Sequence, residues 1–154
     1  MLKWISGLTP EGQLDAAMHK VEEALKVLGI QWFAADHETK LACGQFVIEA
    51  LRKLMPDYDL SSNLYSQFFF YTTDQPAKVL EEGAKWFTET AAAAEVENPP
   101  LYIAMGSIGQ LFSLSAISAA TKSEKTRQAS GALYGSHSRT INDMIQYVLY
   151  HRAF

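Results

Sequence analysis

The sequence predicts an all-α protein. It reads as a single-domain bundle of about six helices over residues 1–154, built round a buried, charge-free central helix at about residues 100–121. Three observations predict this. Apolar residues recur at helical spacing along most of the chain. No charged side chain occurs from Asn98 to Thr121. One segment alone, at residues 67–73, is rich in strand formers, and no second strong strand exists to satisfy its backbone.

The first helix starts at Thr9-Pro10-Glu11, with a capping hydroxyl, proline at the first helical position and an acid in the first turn. Leu14, Ala17, Met18, Val21, Leu25 and Leu28 form its apolar stripe. Gly29 is the expected stop, with Ile30 folding back on the last turn. His19 falls opposite the stripe, toward water. The second helix runs from Asp36 to just before Pro56. Its wide apolar arc, including Cys43, Phe46, Val47 and Leu51, implies cover on two sides.

Helical spacing groups Leu64, Tyr65, Phe68 and Phe69 inward in the third segment and turns Phe70 away. A fourth helix follows Asp74-Gln75-Pro76, with Val79, Leu80, Gly83, Trp86, Phe87 and Ala94 inward. Asn98-Pro99-Pro100 then launches the charge-free helix. Leu101, Met105, Ile108, Phe112 and Ala119 share one stripe of it. Gly106, Gly109, Ser113, Ala116 and Ala120 form a second stripe, small enough for another helix to come close, or for a second copy of the chain to pair there. Six polar residues interrupt the run and acids precede it, so a protein core explains it better than a membrane span. The last helix is expected to begin near Ser136 or Ser138 and carries Ile141, Met144, Ile145, Val148 and Leu149.

A chain of 154 residues buries roughly 68–70% of its unfolded surface. Charged residues make up 19% and hydrophobic residues 48%, which excludes a disordered tail or a coiled-coil rod. Residues 1–121 carry 8 Lys and Arg against 15 Asp and Glu, whereas residues 122–154 carry 5 against 2. The acidic body disfavours nucleic acid, which needs clustered cations. The basic third is available for the acidic body or for an acidic partner. The first residues lack the apolar core and cleavage site of a signal peptide, which suggests a cytoplasmic protein. Leu2, Trp4 and Ile5 are suited either to packing on the bundle or to a partner.

Catalytic motifs are scarce. The lone Cys43 lies on an apolar helical arc, where an inert thiol is expected. His19, His37, His137 and His151 show no Glu-x-x-His or His-Glu-x-x-His spacing, so no metal and no other cofactor is expected. Gly106-Ser107-Ile108-Gly109 lacks the Gly-Lys-Ser/Thr ending of a phosphate loop.

Two constellations remain. Ser136, His137, Ser138 and Arg139 gather hydroxyls, an imidazole and a guanidinium at an expected helix start, where free N–H groups attract anions. Tyr58, Tyr65, Phe70 and Tyr71 are aromatic and flanked by Asp57, Asp59 and Asp74, a pattern suited to a basic protein partner. The leading expectation is a non-enzymatic cytoplasmic protein-binding module of the inhibitor, immunity-type, adaptor or chaperone kind. The alternatives are a helical module that binds a small anion at the start of the last helix, and an enzyme whose site follows no familiar motif.

Overall fold

A computed structural model describes residues 9–152. Among them are six helices: α1 (Pro10–Ala34), α2 (His37–Leu54), α3 (Leu64–Thr73), α4 (Ala77–Ala94), α5 (Pro99–Ala120) and α6 (Glu124–Arg152). No strand occurs among the described residues, and the all-α bundle is the architecture. Leu2, Trp4 and Ile5 lie outside the described residues.

The helix α5 is the axis of the bundle. Seven consecutive residues, Ile103 to Gly109, are buried, so this stretch has no water-facing side. The helices α1, α2, α4 and α6 all pack against it, α4 along most of its length. Among the described residues, α5 is the one helix long and apolar enough to cross a membrane, and 67% of its apolar window is enclosed by the protein. Its C-terminal end is less enclosed: Ala119, expected on the inner stripe, is exposed.

Small residues set how closely the neighbours approach. A Cβ on Gly109 would lie 2.8 Å from Thr88 Cγ2 and 3.1 Å from Phe87 Cβ, both on α4. A Cβ on Gly106 would lie 3.0 Å from Leu28 of α1. Gly83 of α4 gives the same relief to Phe112 of α5. Phe112 then meets Phe87 in a stacked contact at 5.5 Å and Phe68 edge-on at 5.2 Å. The tightest crossing is between α2 and α6. A Cβ on Gly44 would overlap Val148 and the Met144 carbonyl oxygen, closer than non-bonded atoms approach.

Two helices outrun their expected limits. Gly29 does not stop α1, which continues through Ile30 to Ala34. Trp32 lies one turn beyond Leu28, is buried, and meets Tyr147 of α6 edge-on at 5.9 Å. Burying a tryptophan outweighs the roughly 1 kcal/mol that a mid-helix glycine costs. Ile30 does not fold back; it is exposed. The link to α2 is therefore short, with Asp36 accepting from the Thr39 amide at 2.8 Å to cap it.

The helix α6 begins at Glu124, not near Ser136. The stretch before Ser136 is small and polar, with hydroxyls in place of an apolar stripe. Several of these hydroxyls are buried and bonded. Ser130 Oγ reaches Ser118 Oγ of α5 at 2.7 Å and donates to the Arg127 carbonyl. Thr126 Oγ1 donates to Asp15 Oδ1 at 2.6 Å. The turn from α5 to α6 is clamped by α1, since Glu11 accepts from Thr121 Oγ1 and from the Lys122 amide, both at 2.6 Å. The Lys and Arg ion pairs among the described residues are local to α1, α4 and α6, and none joins the basic third to the acidic body.

The packing makes one substitution act with opposite sign at two glycines. Gly29 has nothing within 4 Å of a built Cβ, so Gly29→Ala should stabilise by about 0.5–1 kcal/mol. Gly44→Ala should destabilise by about 1–3 kcal/mol through the α2–α6 crossing. Chemical denaturation of the two variants beside the parent measures both. Equal effects would mean that the crossing is looser than described.

Candidate functional site

The third helix turns its apolar residues to two sides. Leu64 and Phe68 are buried, and Phe68 reaches Phe112 and Tyr134. The helix is held at its N-terminal end. Asn63 caps it by accepting from the Tyr65 amide at 2.7 Å, and Asn142 of α6 accepts from the Leu64 amide. Gln67 braces the preceding loop, accepting from the Asp59 amide and donating to the Asp59 carbonyl. Such anchoring fixes the outward arc. Phe70 there is 72% exposed, Phe69 50% and Tyr65 43%. The Phe69 and Phe70 rings meet edge-on at 6.1 Å, and Tyr65 lies edge-on to Tyr134 at 5.0 Å.

Beside this arc is a hollow of about 280 Å³ whose walls include Tyr65, Phe69, Leu80, Ala119 and Tyr134. It joins α3 to the exposed end of α5. Phe70, placed outward from sequence, is outward. Phe69 was grouped inward and is a correction: 100° of helical rotation from Phe68 carries it to the surface. Tyr65, also grouped inward, is half-exposed.

The remaining residues of this constellation divide. Tyr58, expected as a contact anchor, is buried at 8% exposure. Its hydroxyl has no hydrogen-bond partner, and burial, with the nearby Asp59 charge, pushes its pKa up to about 12. It supports the core beneath the loop. Tyr71 is partly buried and approaches Phe68 and Phe112. Asp57 and Asp74 are exposed. Asp59 is engaged within its own loop, accepting from Ser61 and Ser62, and these bonds hold its pKa below the usual carboxylate value.

A second apolar surface was missed. Val79 and Trp86, expected inward on α4, are exposed. Trp86 stands over a groove of about 490 Å³ between α2 and α4, lined also by Phe46, Ala50, Leu54 and Leu101. The wide apolar arc of α2 was the available signal, since it exceeds what α5 and α6 cover.

The Ser136–Arg139 constellation lies in mid-helix. Its amides belong to α6, so no free helix start faces an anion. His137 is buried, and its Nε2 donates to the Ser107 carbonyl of α5 at 2.8 Å. Burial lowers its pKa to about 4, so the ring is neutral at pH 7. Ser138 is buried and donates to the Gly135 carbonyl. Ser136 and Arg139 are exposed. Ser136 and His137 border one hollow beside α1, whereas Ser138 is bonded within α6 and Arg139 is exposed.

His37 and His151 approach with ring centroids 4.8 Å apart, and His37 Nδ1 hydrogen-bonds Tyr147 Oη at 2.6 Å. Among the described residues no three His, Cys, Asp or Glu side chains converge on a point. Cys43 is buried, and burial pushes its thiol pKa up to about 12. Compared with protein-family models, curated proteins and solved structures, the chain matches none.

His137 gives a pH prediction. Its folded pKa is lowered, so the unfolded chain takes up a proton first as pH falls below about 6.5. The stability gained from the neutral ring is present above that value and is lost as pH falls toward about 4. The loss should be about 3 kcal/mol across that window. Denaturation of parent and His137→Gln between pH 4 and 7 isolates it. The variant should show a shallower slope, and parallel slopes would contradict a buried neutral ring.

Proposed function

We propose that this chain is a protein-binding module that engages a basic partner through the outward arc of α3. The observation that carries this is the exposure of Tyr65, Phe69 and Phe70 on a helix whose opposite side is fixed in the core. Aromatic side chains supply large contact area at low entropic cost and dominate binding energy where they fill pockets. The hollow beside Phe69 adds a place for a partner side chain. Asp57 and Asp74 add negative charge near the arc and favour encounter with a cationic surface. Inhibitor, immunity-type, adaptor and chaperone roles all use a surface of this kind.

Exposure separates contact from core under mutation. Phe70→Ala should leave the melting temperature nearly unchanged, since exposed substitutions usually stay within about 0.5 kcal/mol. Paired with Phe69→Ala, it should reduce partner capture from a lysate at least about tenfold, as loss of a dominant contact does. Unchanged capture by the folded double variant would remove α3 as the binding face. Size-exclusion chromatography of the same proteins tells whether the captured partner is a second copy of the chain.

A further inference from the structure

A third hollow lies on a different side of the molecule and is independent of the α3 arc. It occupies about 290 Å³ between α1 and α6 and reaches α5. Its apolar walls are Leu25, Leu28, Leu133 and Met144. Gly29 forms one edge, and a Cβ there would meet nothing within 4 Å. Glu22 and Lys26 of α1 and Ser136 and Thr140 of α6 form its polar rim.

Two deep polar side chains contribute to it. Ser107 is fully buried, and its Oγ has no hydrogen-bond partner. A serine inside a helix ordinarily returns its hydroxyl to the preceding turn. An unpaired buried hydroxyl is costly and calls for an explanation. His137 is the second. Because Nε2–H donates to a carbonyl, the neutral ring leaves Nδ1 as an acceptor. Among the described residues the ring's hydrogen bond is made through Nε2, to Ser107, which leaves Nδ1 for a ligand.

We infer that this hollow is a binding site for a small uncharged amphiphile: an aromatic or aliphatic body of phenol to indole size, carrying one O–H or N–H group. The body lies against Leu25, Leu28, Leu133 and Met144. The donor reaches His137 Nδ1, and the Ser107 hydroxyl, sealed from water in the empty hollow, pairs with the same polar end once the ligand displaces the wall over it. Pockets of this mixed character, mostly apolar with few polar groups, are typical of small-ligand sites, and the volume is at the small end of their range. The neutral imidazole offers no charge to an anion, and Lys26 at the rim is matched by Glu22, so a carboxylate gains no net charge complementarity. The gap at Gly29 gives the ligand room without strain in α1.

The test titrates phenol into the full chain by calorimetry, with benzoate as the charged comparison, and follows the ¹⁵N resonance of His137 Nδ1. Phenol should saturate a single site in the millimolar range, as suits so small a probe. It should shift Nδ1 in the direction of an accepted hydrogen bond and bind at least tenfold more tightly than benzoate. Gly29→Leu places a side chain in the open space and should abolish binding in a folded protein. Ser107→Ala should weaken phenol at least threefold and yet raise the melting temperature, because it removes the unpaired hydroxyl. No saturation by the parent, equal affinity for benzoate, or full binding by Gly29→Leu would each overturn the site.

Discussion

A helix without charge cannot be left in water along its length, and the bundle is organised to remove α5 from it. From Ile103 to Gly109 every residue is buried, so cover is needed on all sides at once. Four helices supply it, and they fit only because α5 and its neighbours alternate bulk with its absence. Gly106 admits Leu28, Gly109 admits α4, and Gly83 on α4 admits Phe112. Close approach permits dense van der Waals contact, which is how an interior gains stability beyond area burial alone. Stacking of Phe112 on Phe87 follows from that spacing.

Hydroxyls are the second theme of the interior. Thr126, Ser130 and Ser138 are buried along α6, and each reaches an acceptor: Asp15, the Arg127 carbonyl and the Gly135 carbonyl. Pairing of this sort lets a helix with few large apolar residues in its first half enter a core. Glu11 and Asp15 contribute from α1, so its acidic first turns fasten the α5–α6 connection. Ser107 and Tyr58 break the pattern, each with a buried hydroxyl that finds no partner among the described residues. Ser107 borders an open hollow, whereas Tyr58 lies in the loop between α2 and α3.

Much of the fold was legible from residue spacing and capping chemistry. Thr9-Pro10-Glu11, Asp36 and Asn98-Pro99-Pro100 each marked a true helix start, because the capping bond is local and its partners lie three residues on. The charge-free run marked the central helix for a similar reason. What escaped was decided by distant contacts. Gly29 looks like a stop until Trp32 is seen against Tyr147. Ser130 to Gly135 looks like a loop until Ser130 is seen against Ser118. Trp86 and Phe69 look like core because they are large and apolar, yet the helices that would cover them lie elsewhere. The anion constellation rested on a helix start near Ser136, and α6 starts at Glu124 instead. Of the aromatic constellation, Phe70 and Tyr65 reach the surface, while Tyr58 is buried.

Both proposed sites depend on that central packing, since α3 rests on Phe112 through Phe68, and the His137 hollow is floored by Ser107 of α5. The most direct test of the account is native-state hydrogen exchange along α5. Amides from Ala104 to Leu114 should be the slowest in the protein and should exchange only through global unfolding, with the free energy that denaturation gives. Amides of α3 near its exposed arc should open at lower cost. If the α5 amides instead exchanged as readily as those of α3, α5 would not be the axis on which the structure depends.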